Sequence, residues 1–258
     1  MFGGRTSNGG SKFEKTADAI YRWKSTKQNF TAWDSENQVE IELPKDAILI
    51  PLTATNQVTG TKERDHGKAT QRYNNVSSNE FINFKEDIVK VTEYDRLDNT
   101  RNVIAEGVYS PTVKEAIADL GSVARFTKNI YCLLDGEVVK LALRGASLTP
   151  WIKFEQSLKE LQIELMHGHG FKVDGYTEEK NGMVTYTSPK FAVVDIDDAT
   201  EQVSNEKAIE VEQAILRNMQ ANGTTEATTE FTPKVSDQPT TAEPEDNNEA
   251  ISLEEIPF

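Results

Sequence analysis

The stretch from residue 221 to residue 258 most constrains what this chain can fold into. It consists mainly of Thr, Glu, Pro, Asn, Asp and Ala, with few large apolar side chains. Such a segment buries too little apolar surface to offset the entropy cost of ordering its backbone. We therefore predict a disordered acidic tail over residues 221–258, with the folded body before it. The Gly-, Ser- and Asn-rich start predicts a second flexible arm over residues 1–15.

The net charge of −14 is unevenly divided along the chain. Residues 1–192 hold 25 basic and 26 acidic side chains, whereas residues 193–258 hold 3 basic and 16 acidic ones. An evenly acidic protein would repel nucleic acid, but a nearly neutral body is able to carry a local basic surface. The charge excess therefore does not exclude a nucleic-acid partner.

The body has mainly β patterns. Apolar and polar residues alternate over 38–43, and Asp135-Gly136 between two β-rich runs is typical of a hairpin. An apolar stripe of Trp151, Phe154, Leu158, Leu161 and Leu165 predicts a helix that opens at Thr149-Pro150. Further strands are predicted at 47–52, 81–84, 88–94, 102–109, 123–134, 138–143, 171–176, 184–186 and 191–194, and a short helix at 111–120.

These patterns predict an α+β, mainly β domain over residues 16–196. A helix over residues 197–220 would lead out of this domain into the tail, since acidic residues occupy its first turn and Gly223 follows its end. Residues 53–80 are polar and are predicted to be a long connection, which in a compact domain is usually functional or disordered.

Two segments of the body combine basic and aromatic side chains. Binding of single-stranded nucleic acid without sequence preference needs a basic groove for phosphates and aromatic faces for bases. We predict that the two segments flank such a groove, although a core role for the aromatic residues and an ordinary solvated loop for the connection remain alternatives. The candidates are Tyr21, Arg22, Trp23, Lys24, Lys27, Phe30, Trp33, Lys62, Arg64, Lys68, Arg72 and Tyr73, with Tyr94, Tyr109, Arg125, Phe126, Lys128 and Tyr131 as secondary ones.

Large apolar residues reappear at the very end of the tail. The last five residues are Glu254-Glu255-Ile256-Pro257-Phe258. A solvated tail gains nothing from an exposed Phe, so a partner protein is the simplest reason for it. Pro257 favours an extended Ile256 and lowers the ordering cost of docking. Phe258 joins an aromatic ring to the terminal carboxylate, which fits an apolar pocket with a basic rim.

This terminus resembles that of bacterial single-stranded DNA-binding proteins, in which an acidic cluster precedes Ile-Pro-Phe. The resemblance implies that Glu254 to Phe258 recruit replication, recombination and repair enzymes, such as a polymerase, a primase or helicase, a nuclease or a recombinase. In organisation the whole chain is more similar to bacteriophage-encoded single-stranded DNA-binding proteins. That similarity implies an OB-fold-like barrel with elaborations and flanking helices, ahead of the acidic tail.

Few residues offer catalytic or metal chemistry. The chain has one cysteine, Cys132, three histidines and no phosphate-binding loop. His167 and His169 fit a helix end followed by a turn better than a metal site, and Asp195, Asp197 and Asp198 fit a helix N-terminus. We therefore expect a protein that is not an enzyme and has no cofactor and no bound metal.

The start of the chain has no secretory signal, and no apolar run is long enough to span a membrane. We expect a cytoplasmic protein, in the host cytoplasm if phage-encoded, that coats single-stranded DNA. Two other functions remain open: an acidic inhibitor that mimics DNA and occupies a host protein's nucleic-acid site, and a replication adaptor that uses the same terminus.

Overall fold

The computed structural model describes residues 14–63, 73–95, 98–109, 124–165 and 168–221. The helix predicted at 111–120 lies outside these ranges. Residues 1–13 of the predicted arm (1–15) and residues 222–258 of the predicted tail (221–258) also lie outside them.

The described residues form eleven strands and two α-helices, which confirms the α+β, mainly β class. The first four strands are β1 (Ala19–Lys24), β2 (Asn29–Asp34), β3 (Val39–Glu42) and β4 (Ile50–Glu63). They are followed by β5 (Tyr73–Ser78), β6 (Ile88–Asp95), β7 (Thr100–Val108), β8 (Arg125–Leu134) and β9 (Glu137–Leu143). The remaining elements are α1 (Leu148–Leu161), β10 (His169–Asn181), β11 (Val184–Asp195) and α2 (Asp198–Ala221).

Nine strands make one sheet in the order β3-β2-β1-β9-β8-β4-β5-β6-β7. Strands β1 and β9 run parallel, and every other neighbouring pair in this sheet is antiparallel. Strands β10 and β11 form a separate antiparallel ribbon. In the described part of the chain β3 and β7 are edges of the sheet, so it is not a closed barrel. This corrects the expectation of an OB-fold-like barrel.

The two helices pack on opposite faces of the sheet, which we call the α1 face and the α2 face. On the α1 face, Trp151, Phe154 and Leu158 are buried against strand residues such as Tyr21 and Leu141. The centroids of the Trp151 and Phe171 rings lie 4.8 Å apart, so the ribbon joins this core. On the α2 face, successive turns of α2 pack against the strand residues Leu52, Tyr131 and Leu133. The buried helix residues are Ala208, Val211, Ile215 and Met219.

The predicted stripe on α1 is confirmed for its first three members only. Leu161 is 66% exposed, because the helix ends at this residue and Gln162 takes a left-handed conformation with φ 56°. Helix α2 begins one residue after the predicted start, and from Ala208 to Met219 it packs against the sheet. In the described part of the chain neither helix is both long and apolar enough to cross a membrane.

The prediction of a long connection over residues 53–80 was wrong. Strand β4 runs to Glu63, and β5 then pairs with it from Tyr73 onward. Strand β4 is central although it contains Pro51, because the register shifts between Pro51 and Thr53, where a strand tolerates a missing donor. The strand predicted at 81–84 is reduced to an isolated bridge between Phe81 and Asn56.

Candidate nucleic-acid interface

Strand β1 divides the predicted binding residues between the two faces of the sheet. Successive side chains of a strand point to opposite faces. Tyr21 and Trp23 therefore share the α1 face, whereas Arg22 and Lys24 share the α2 face. Burial agrees with this division, since Tyr21 is 6% exposed and both Arg22 and Lys24 are exposed.

Three of the predicted aromatic residues belong to the core on the α1 face. Phe30 is fully buried, and its ring centroid lies 5.3 Å from that of Trp23 in an edge-on contact. The Trp23 indole Nε1–H donates to the backbone oxygen of Thr187 at 2.7 Å, which ties β1 to the ribbon. These contacts correct the expectation that Tyr21, Trp23 and Phe30 stack on bases: their rings are used inside the protein.

Three arginines from neighbouring strands meet on the α2 face, and we call Arg22, Arg125 and Arg144 the arginine cluster. Arg125 begins β8, on the same face as Asn129, which pairs with Ala142 of β9. Arg144 directly follows β9 in an extended conformation, so the alternation of β9 carries on to it from Ala142. Arg22 lies two residues beyond Ile20, the partner of Lys140 on β9.

The arginines of the cluster are close enough to repel one another. The Arg144 guanidinium reaches past β8 to β4, where Nη1 donates to the backbone oxygen of Thr59 at 3.0 Å. Partial burial, followed by repulsion from Arg22 and Arg125, lowers the pKa of Arg144. Although the Arg22 side chain is exposed at the surface, desolvation by the surrounding protein lowers the pKa of its guanidinium as well. Among the described residues, neither Arg22 nor Arg144 forms an ion pair with a carboxylate.

The strands beneath the cluster carry polar side chains that hydrogen-bond to one another, although the buried Asn129 Oδ1 accepts no hydrogen bond among the described residues. The hydroxyl groups of Thr59 and Thr127 are 2.6 Å apart, and Thr127 pairs with Gln57 across the strands. Thr127 and Asn129 are almost completely buried. These polar side chains help to hold the strands in register, and the charged groups of the arginine cluster form the outermost layer of the surface.

Trp33 extends the same face at the β2 edge of the arginine cluster. It shares a face with Thr31, the direct partner of Arg22, and it is 63% exposed. Glu40 lies directly opposite Trp33 on β3, and its carboxylate forms a salt bridge with the Lys24 ammonium. Lys27, in the turn between β1 and β2, is similarly paired with Glu42 at 3.1 Å. The surface near Trp33 therefore combines an exposed ring with lysines that are already partly neutralised.

A second polar network lies where the α2 face meets the C-terminal end of α2. The Glu80 carboxylate accepts hydrogen bonds from Lys140 at 2.8 Å and from the Tyr131 hydroxyl at 2.8 Å. Next to it, a cleft of about 520 Å³ is lined by Gln57 and by Ala221, the last residue of α2. Ala221, after which the acidic stretch continues in the sequence, therefore lies on the same face as the arginine cluster.

The other predicted residues do not join the cluster. Lys62 lies on the α1 face near the far end of β4, and its ammonium is 3.2 Å from Glu93. Tyr73 begins β5 and is exposed. Of the secondary candidates only Arg125 belongs to the cluster, while Tyr131 is fully buried and Lys128 is bound to Glu155 at 2.7 Å.

Several predicted residues lie outside the described part of the chain. They are Arg64, Lys68 and Arg72 of the polar connection, and Glu254, Glu255, Ile256, Pro257 and Phe258 of the terminus.

Sequence reasoning missed Arg144. The signal for it was present, because Lys140, Ala142 and Arg144 alternate with the apolar residues Val139, Leu141 and Leu143. What the alternation alone does not reveal is that β9 lies between β1 and β8. That neighbourhood, set by the sheet order, brings Arg144 beside Arg22 and Arg125.

Comparison of the chain with protein-family models, with curated proteins and with solved structures gave no match. Within the residues that the structure describes, no three His, Cys, Asp or Glu side chains are grouped closely enough to hold a metal ion.

Proposed function

We propose that this protein binds single-stranded DNA without sequence preference and protects it during replication, recombination and repair. The observation that carries the proposal is the arginine cluster: the strand order brings three cationic side chains together on the α2 face, and Arg22 and Arg125 repel the Arg144 guanidinium. Holding like charges together costs free energy, and phosphates would relieve that cost. Arg is also well suited to phosphate because its planar guanidinium donates two parallel hydrogen bonds.

The surroundings of the cluster favour a single strand as the ligand. A binding surface for single strands combines phosphate contacts with an exposed ring on which a base stacks. Trp33 supplies such a ring on the same face, with its large exposed fraction. A strand that crosses β2, β1, β9 and β8 in turn would meet Trp33 first and the arginines next.

We further propose that the acidic tail has two roles. Its terminus, Glu254 to Phe258, recruits replication and recombination enzymes, as the resemblance implies. At low salt the tail also competes with DNA for the arginine cluster. The point of attachment supports this second role, because Ala221 lines a cleft on the cluster's own face. Electrostatic competition of this kind weakens as salt screens the charges.

A salt series with fluorescent poly-dT tests the proposal, using the full chain and residues 1–221. We expect both proteins to bind, with an affinity that falls as the salt concentration rises. The variant Arg22→Gln/Arg144→Gln should bind weakly, whereas the matched variant Lys45→Gln/Lys159→Gln should bind like the parent chain. Binding by neither the full chain nor residues 1–221 would favour the inhibitor or adaptor function instead.

A further inference from the structure

An open groove runs between helix α1 and the β10–β11 ribbon. Its volume is about 1090 Å³, slightly above the roughly 300–1,000 Å³ of sites that enclose one small ligand. Lys153 lines it from the helix, and Tyr186 and Lys190 line it from the ribbon. Between these walls lie the rings of Phe154 and Phe191, whose centroids are 5.7 Å apart.

The groove lies on the α1 face, and Arg125 connects it with the arginine cluster on the α2 face. Arg125 lines the groove and also acts electrostatically on Arg144. Arg144 in turn directly precedes Gly145, which is another lining residue. To reach the groove, a chain molecule bound across the cluster has to pass round the end of the sheet at Arg125, the first residue of β8.

The side chains that line the groove carry three positive and two negative charges, and the negative ones are partly compensated by neighbouring groups. Two carboxylates, Asp174 and Glu179, also line it. The Asp174 carboxylate lies 3.7 Å from the Lys172 ammonium, and Glu179 has hydrogen-bonding partners. Glu179 accepts hydrogen bonds from the Ser188 hydroxyl and from the Tyr186 hydroxyl, the second at 2.9 Å, and these two bonds lower its pKa. Among the described residues Lys190 forms no ion pair, which leaves it available to a phosphate.

The ribbon wall is held in place at its middle. The Thr187 backbone N–H donates to the Ser25 hydroxyl at 2.6 Å, and the Trp23 indole donates to the Thr187 carbonyl oxygen at 2.7 Å. These bonds tie the ribbon to the turn between β1 and β2. A wall held in this way loses little conformational entropy when a ligand enters the groove.

We propose that the DNA strand that crosses the arginine cluster continues into this groove, where Lys153 and Lys190 contact its phosphates and Tyr186 offers a ring to a base. This inference rests on the proposed function. It adds a second stretch of binding surface, and it makes affinity depend on strand length beyond what the cluster alone covers.

The test compares oligo-dT strands of increasing length on the full chain and on the variant Lys153→Ala/Lys190→Ala. Each phosphate contact with a single strand contributes roughly 0.7 to the slope of log K against log salt. On long strands the variant should therefore lose roughly 1.4 from that slope. On the shortest strand that the parent protein binds, both proteins should bind alike. A variant of equal charge, Lys85→Ala/Lys159→Ala, should keep the parent slope at every length.

Three results would contradict this inference or the proposed function on which it rests, and they can be told apart. If the groove variant keeps the parent slope on long strands, the groove does not hold DNA, and a peptide ligand would give the same result. If its slope falls equally on short and long strands, a general loss of charge is responsible; both results overturn the inference. If the parent protein binds no strand at all, the proposed function itself fails.

Discussion

The neighbouring residues Arg22 and Trp23 allow binding and stability to be changed separately. They are adjacent in β1 but point to opposite faces, one to the arginine cluster and the other to the core. We expect Arg22→Gln to weaken DNA binding and leave stability unchanged. We expect Trp23→Ala to lower stability and leave the affinity of the folded protein unchanged.

The magnitudes follow from the contacts of each side chain. Arg22 has no ion pair among the described residues, so its loss should cost no more than about 0.5 kcal/mol of stability. A lost charged hydrogen bond to phosphate is worth about 1.5–3 kcal/mol, which is roughly a tenfold to hundredfold loss of affinity. For Trp23, the bond to Thr187 is worth about 1 kcal/mol, and the half-buried ring adds about 1–2 kcal/mol. The melting temperature should then fall by roughly 5–10 °C.

Binding is measured by fluorescence anisotropy of labelled oligo-dT over a salt series, and stability by urea unfolding followed by circular dichroism. For Arg22→Gln the slope against log salt should also fall by roughly 0.7. If Arg22→Gln binds like the parent, the strand does not cross this face. If folded Trp23→Ala loses as much affinity as Arg22→Gln, the division of β1 into a binding side and a core side is wrong.

Four further predictions use the same assays. Trp33→Ala should weaken binding by about 1–3 kcal/mol with stability almost unchanged, and equal affinity would remove Trp33 from the interface. Deleting residues 222–258 should tighten binding, most strongly at low salt, and abolish recruitment of partner enzymes; an unchanged affinity would contradict the competing role of the tail. Glu80→Gln should lower the free energy of unfolding by about 2–4 kcal/mol, because Lys140 loses its partner, and adding Lys140→Met should recover part of that loss. Burial raises the pKa of the Cys132 thiol, so it should stay protonated at pH 8 and react with a thiol reagent only in urea; rapid reaction of the native protein would contradict its burial.

Hydrophobic patterning predicted the apolar parts of the fold and failed on the polar ones. The stripe of Trp151, Phe154 and Leu158 and the Asp135-Gly136 hairpin lie where the pattern indicated. Strand β4 was predicted only as far as Leu52, because beyond it the strand carries Thr, Asn and Gln at positions that pair with polar residues of β8. A polar strand is stable there because its hydroxyl groups find partners across the sheet, as Thr59 does in Thr127.

The candidate site was predicted in part, and for a definite physical reason. Interleaved basic and aromatic residues drew attention to residues 21–33, and Arg22 and Trp33 from that segment lie on the proposed surface. The pattern alone does not separate them from Trp23 and Phe30, because period-two alternation says which residues share a face but not which face is covered. Helix α1 and the ribbon cover one face, and that placed three of the seven candidates in this segment, Tyr21, Trp23 and Phe30, in the core.

By itself the sequence determined the mainly β class, the separation of a neutral body from an acidic end, and the alternation along each strand. These are local properties, set by composition and by the repeat of the backbone. Only the tertiary structure decided that β9 lies between β1 and β8. This order brings Arg22, Arg125 and Arg144 together, although Arg22 and Arg144 are more than 120 residues apart in the sequence. Strand order depends on pairings between distant segments, whose free energies no local pattern records.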